Sequence, residues 1–208
     1  MFSKKNKKKG FVFSKKGFTL IEMLIVIVII GILAAALIPR LSSARGRAND
    51  VARKADLAQT AAALVSYQID AGSFPSSNCP NGCSLSTISG ELIKAGMASI
   101  PEDPTSDRQF YGITQSNKTS VGQFGYSPIY KSGIPNNGFV LMAGAETEGG
   151  ANYVAEAGTY IINPSTTFES IHVCKTFTTT SNNTPTNNGD GTCTYNKTKD
   201  QLRYIYTY

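Results

Sequence analysis

The chain has one histidine, His172, and no acidic residue before Glu22. A lone histidine leaves nothing from which to build a histidine metal centre, and no nucleophile–base set, phosphate loop or metal cluster is recognisable elsewhere. Cysteine is scarce as well, with only Cys79, Cys83, Cys174 and Cys193. A zinc site at Cys79-Pro-Asn-Gly-Cys83 would lack two ligands, because the other cysteines lie about 90 residues away in sequence. The missing acids matter most. Residues 1–17 hold seven lysines and no acid, and the rest of the chain has 13 basic and 14 acidic residues, a balance of −1. The formal charge of +6 therefore belongs to the leader. That excludes a nucleic-acid reading based on net charge, and the remaining sequence shows no basic patch interleaved with aromatics.

The lysines precede Phe18 to Ile38, a run that is apolar except for Thr19 and Glu22. As a helix it is about 31 Å long, enough to cross a bilayer core. It exceeds the apolar segment of an ordinary signal peptide and ends in Pro39-Arg40-Leu41 without a small-x-small cleavage signal beyond Ala34-Ala35-Ala36. Lysines on its N-terminal flank predict an N-terminus inside the cell and a domain outside. An outside location suits an even number of cysteines. A carboxylate within such a helix is costly, which makes Glu22 a functional candidate.

Pro39 removes one backbone hydrogen bond and predicts a kink, and Gly31 weakens the helix further. Helical periodicity then resumes. Leu41, Ala44, Ala48, Val51, Ala55, Ala58, Ala62, Val65 and Ile69 recur at alternating spacings of three and four. This stripe is expected to pack on the domain's own sheet over 55–69. Arg45, Arg47, Asp50, Arg53, Lys54 and Asp56 fall on the other faces and read as solvated. Gly72 and Pro75 stop the helix. A short helix is expected over 86–95, strands at 124–126, 139–142 and 202–208, and loops at 112–122 and 131–137. Four cysteines allow three connectivities. Proximity favours Cys79–Cys83 and Cys174–Cys193, the second closing a polar Asn/Thr/Gly run.

Lys15-Lys16-Gly17-Phe18-Thr19-Leu20-Ile21-Glu22, at the head of the apolar helix, resembles the processing site of the type IV pilins and type II secretion pseudopilins. Lys9-Gly10-Phe11 does not, because Lys15 stands where Glu22 should and no apolar run follows. The resemblance implies cleavage between Gly17 and Phe18 by a prepilin peptidase, N-methylation of Phe18, and a role for Glu22 in assembly through a neighbour's N-terminal amine. Leu64, Tyr67, Asp70, Gly72, Phe74 and Pro75, with Pro101-Glu-Asp-Pro104, resemble pseudopilin G. The cysteine-closed tail resembles adhesive pilins instead. The implied fold is α+β, a long bent N-terminal helix on an antiparallel sheet with a disulfide-closed C-terminal loop. The implied organisation is a leader at 1–17, a transmembrane and filament-core helix at 18–38, its soluble continuation at 39–71 and a globular head at 72–208.

The implied partners are identical or related subunits in a helical filament, an inner-membrane assembly platform and the membrane, with no nucleic acid and no enzymatic activity. No cofactor is expected. Calcium, which pseudopilin G proteins bind, has Asp190, Glu146 and Glu148 as candidates by composition only. The alternative is a membrane-anchored extracytoplasmic binding domain or enzyme that does not assemble. Pilus and secretion pseudopilus both stay open.

Overall fold

The computed structural model describes residues 17–79, 82–105, 121–155, 162, 165–181, 184–196 and 201–208. Most of the leader and of the 112–122 loop lies outside them. The chain forms two units, residues 1–41 and 42–208. One helix, α1 (Leu20–Ala71), contributes to both and passes through Gly31 and Pro39 as α-helix. Its start is locked by a reciprocal capping box. The Thr19 amide and hydroxyl donate to Glu22 Oε2 at 2.7 and 2.8 Å, and the Glu22 amide donates to Thr19 Oγ1 at 3.3 Å. In the first unit every described residue except Ala34 is exposed.

The second unit is built on a sheet of β1 (Cys83–Ser84), β2 (Gly125–Lys131), β3 (Ile134–Gly144), β8 (Leu202–Thr207) and β4 (Tyr153–Val154), in that order and antiparallel throughout. The expected loop at 131–137 is a tight hairpin. Lys131 pairs with Ile134, and Ser132 and Gly133 both have positive φ, 54° and 76°. Those angles match the twist of the flanking strands, so a two-residue turn suffices. From Gly138 onward β3 is buried on both faces. Phe139, Leu141 and Ala143 join Leu57, Ala61 and Leu64 of α1 and Phe74, Tyr126, Leu85, Ile88 and Leu92 in the main core. Val140 and Met142 face a second cluster with Ile129, Tyr153, Ile162 and Ile205. The helix expected at 86–95 is a 3-10 turn, Leu85–Ile88, running into α2 (Ser89–Lys94).

The polar run after Cys174 is more ordered than a loop. β5 (Thr176–Thr179), β7 (Thr192–Tyr195) and β6 (Thr186–Asn187) make a small sheet, with β5 parallel to β7. Phe177 sits opposite Cys193, and Cys193 is bonded to Cys174. Cys79 is bonded to Cys83. Threonines and asparagines hide this sheet from hydropathy, because its apolar share is only Phe177, Cys193 and Tyr195 over Ala145, Val154 and Leu202. So small a core needs its crosslink. Replacing both Cys174 and Cys193 with alanine should lower stability by about 3 kcal/mol, the loop-closure value for a segment of this length. Thermal melts without reductant would check it: the variant should melt below the oxidised wild type, and reductant, which also opens Cys79–Cys83, should lower the wild type by more than the variant. His172 is exposed and outside any strand.

Candidate functional site

The residues singled out in the sequence sort into an exposed apolar face and a buried polar node, both on α1. In the first unit, fifteen large apolar side chains from Phe18 to Ile38 are exposed, Phe18 by 79% and Leu20 by 83%. Each would contribute about 1.5–3 kcal/mol on full burial, so lipid or protein must cover this segment. It is the one helix among the described residues that is long and apolar enough to cross a membrane.

In the second unit the two faces of α1 are the reverse of the periodicity reading. Ala44, Ala48, Val51, Ala55, Ala58, Ala62 and Ile69 are exposed, and Val65 is half-buried. The buried side carries Gly46, Asp50, Arg53, Leu57, Thr60, Ala61 and Leu64. At about 3.6 residues per turn these sets lie on opposite sides of the helix. The alanine stripe therefore does not pack on the sheet. Leu57, Ala61 and Leu64 do, and polar residues on the same side meet the loops beside it.

Those polar residues are not solvated. Arg53 is fully buried and binds Asp103 through two hydrogen bonds, Nε to Oδ2 at 2.7 Å and Nη2 to Oδ1 at 2.9 Å. It also donates to Asp50 Oδ1 at 2.9 Å, Glu146 Oε1 at 2.9 Å and Thr105 Oγ1 at 3.0 Å. Asp50 accepts the Glu146 and Thr147 amides at 2.9 and 3.0 Å and the Thr147 hydroxyl at 2.7 Å. The loop passes so close that a Cβ on Gly150 would fall into the Asp50 carboxylate. One guanidinium thus ties α1 to the 101–105 segment and to the 145–150 loop. Burial alone would lower the Arg53 pKa, but hydrogen bonds and charge from Asp103 and Glu146 outweigh it and hold it higher than usual. Burial would likewise raise Asp103, but Arg53 and Thr105 bring its carboxyl below the ordinary range. Asp56 is raised, first by burial and then by the charge of Asp103.

The calcium candidates are not brought together. Glu146 is held by Arg53 and by Asn49 Nδ2 at 3.0 Å, Glu148 accepts the Tyr195 hydroxyl, and Asp190 accepts the Thr192 amide at 2.8 Å. Among the described residues no three histidine, cysteine or acidic side chains cluster around a metal-sized space. Arg53 and Asp103 are the site residues that the sequence reading missed. The available signals were the i, i+3 pair Asp50/Arg53 and an aspartate fixed between Pro101 and Pro104, neither of which reveals its partner.

Comparisons with known proteins agree on what such an N-terminus is. Residues 13–38 match the family described as the prokaryotic N-terminal methylation motif. The chain is 46% identical over 90 residues to the type IV wide pilus major component PilA4 of Thermus thermophilus, covering 43% of this chain and 60% of that one. It is 44% identical over 62 residues to the type II secretion system core protein G of Pseudomonas aeruginosa, covering 30% and 44%. The core protein G of Aeromonas hydrophila is 29% identical over 130 residues, covering 58% and 83%. In its methylation motif and in these stretches the chain is similar to type IV pilins and type II secretion pseudopilins. It spans about half the length of the first two relatives. No solved structure matches it.

Proposed function

We propose that this chain is a prepilin, a structural subunit of a filament of the type IV pilus or type II secretion pseudopilus kind. A prepilin peptidase cuts between Gly17 and Phe18 and methylates Phe18. Residues 18–38 hold the subunit in the cytoplasmic membrane, with the N-terminus inside and the head outside, until an inner-membrane platform adds it to a filament of identical or related subunits. Glu22 guides that addition.

One observation carries this reading best. The large apolar side chains from Phe18 to Ile38, and the small apolar stripe from Ala44 to Ala62, are both exposed in the single chain. A membrane anchor alone needs the first set and not the second. A filament core uses both, because small side chains let helices approach closely. The motif at 13–38 and the pilus and secretion relatives support the same reading.

The mature N-terminus tests the processing step. Mass spectrometry of the chain from its native host should find methylated Phe18 as the first residue. Any other terminus sinks the processing claim. Sheared surface filaments, or pseudopili from a secretion-competent host, should then contain that same species.

A further inference from the structure

The exposed stripe of α1 has unlike charges on its two sides. Between Ser43 and Lys54, Asp50 and Arg53 are spent on each other and on the buried node, which leaves Arg45, Arg47 and Lys54. From Ala55 to Ala71 the charges are Asp56 and Asp70, with no basic residue. At about 3.6 residues per turn, Arg47 and Lys54 fall on one side of the stripe and Asp56 and Asp70 on the other. Arg45 shares the acidic side, but lies about 16 Å from Asp56 toward the N-terminal end of the helix.

Each flank borders an open groove. On the basic side α1 and the 147–150 loop enclose about 640 Å³, lined by Ser43, Arg47, Val51, Lys54 and Glu148 among others. Glu148 there is engaged by the Tyr195 hydroxyl, and Lys54 donates to the Gly149 carbonyl at 3.2 Å and lies over the Tyr204 ring. Arg47 is exposed and makes no ion pair among the described residues. On the acidic side α1 and the 98–102 segment enclose about 440 Å³, lined by Asp56, Gln59 and Glu102 among others. Glu102 is exposed and accepts one hydrogen bond from Gln123 at 3.1 Å.

A two-fold dimer with its helices antiparallel would place like flanks together. A head-to-tail contact, which propagates as a helix, needs two unlike patches that fit each other. This surface supplies them. We propose that the acidic rim of one copy, Asp56 and Glu102, seats in the Arg47–Lys54 groove of the next copy, with the alanine stripe closing the contact between them. The occupant is a second copy of this chain. The proposal rests on the filament reading and specifies which surfaces meet within it.

The test uses the full-length chain in its native host, with sheared filament or pseudopilus yield as the readout. Arg47→Glu and Glu102→Arg alone should each lower the yield about tenfold, because each sets like charges against each other. Both changes in one chain restore opposite charges and should bring the yield back to within about twofold of wild type. Arg47→Ala and Glu102→Ala should give milder losses that keep the order of effects if a reversal variant melts abnormally. Single reversals that assemble normally, or a double reversal no better than the singles, overturn the contact while wild-type filaments leave the filament reading standing. A wild-type chain with methylated Phe18 that never enters filaments overturns both.

Discussion

Replacing Arg53 with alanine is expected to lower the stability of the head by about 4 kcal/mol, because it leaves buried carboxylates without their cation. For a domain of this size that is a fall in melting temperature of about 8–16 °C. The loss should exceed that of any exposed ion pair, since Arg53 and Asp103 are both almost wholly enclosed. The pH dependence gives the sign of the effect. The Asp103 carboxyl is held below its ordinary value of 3.8, so its pairing contributes fully above about pH 4 and is lost as pH falls through the lowered value. Asp56 works in the opposite sense: its carboxyl is raised, so the folded state favours its protonation as pH falls. In Arg53→Ala the buried Asp103 has no cation to hold it ionised. Its protonation should then stabilise the variant in acid, and the gap to wild type should narrow below about pH 4. Thermal melts of the full chain in detergent from pH 3 to 8 would show this. A variant that melts with the wild type at pH 7 would mean that the node contributes no stability.

The second large effect is expected at Glu22, and its structure separates two roles that one substitution would confuse. Glu22 closes the capping box with Thr19 and is also the single charge in the apolar segment. Glu22→Ala removes both and should abolish incorporation into filaments while leaving the subunit in the membrane. Glu22→Gln keeps an oxygen that accepts from the Thr19 amide and hydroxyl, so the cap survives and only the charge goes. If charge pairing with a neighbour's amine drives assembly, the glutamine variant should fail as fully as the alanine variant. If glutamine assembles normally, the work of Glu22 is to start the helix. Filament yield and membrane content, measured together, decide between them.

The long helix, observed over Leu20–Ala71, the N-terminal methylation motif and the strands around Phe139 and Tyr204 were legible because they are local patterns of hydropathy, motif or alternation. The inward face of α1 was not. Periodicity finds the apolar stripe of a helix and assumes that it points into the protein. Here Asp50, Arg53 and Thr60 point inward. The groups that neutralise Arg53 stand 50 and 93 residues away at Asp103 and Glu146. No window along the sequence contains both. The β2–β3 hairpin was hidden for a smaller reason: Ser132-Gly133 looks like part of a polar loop, although its positive φ angles make the tightest connection two strands can have. The β5–β7 pairing was hidden because threonine side chains do not alternate in hydropathy.

The sidedness of α1 has a further consequence for how such a subunit can be altered. Leu57, Leu64 and the Arg53 node carry folding, while Ala48, Val51, Ala55, Ala58 and Ala62 touch little of the head. Changes to one row should leave the other almost undisturbed. A subunit could then be re-addressed to new neighbours by rewriting its outward row, with its melting behaviour nearly constant. Two messages are written along one rod, and each can be edited without erasing the other.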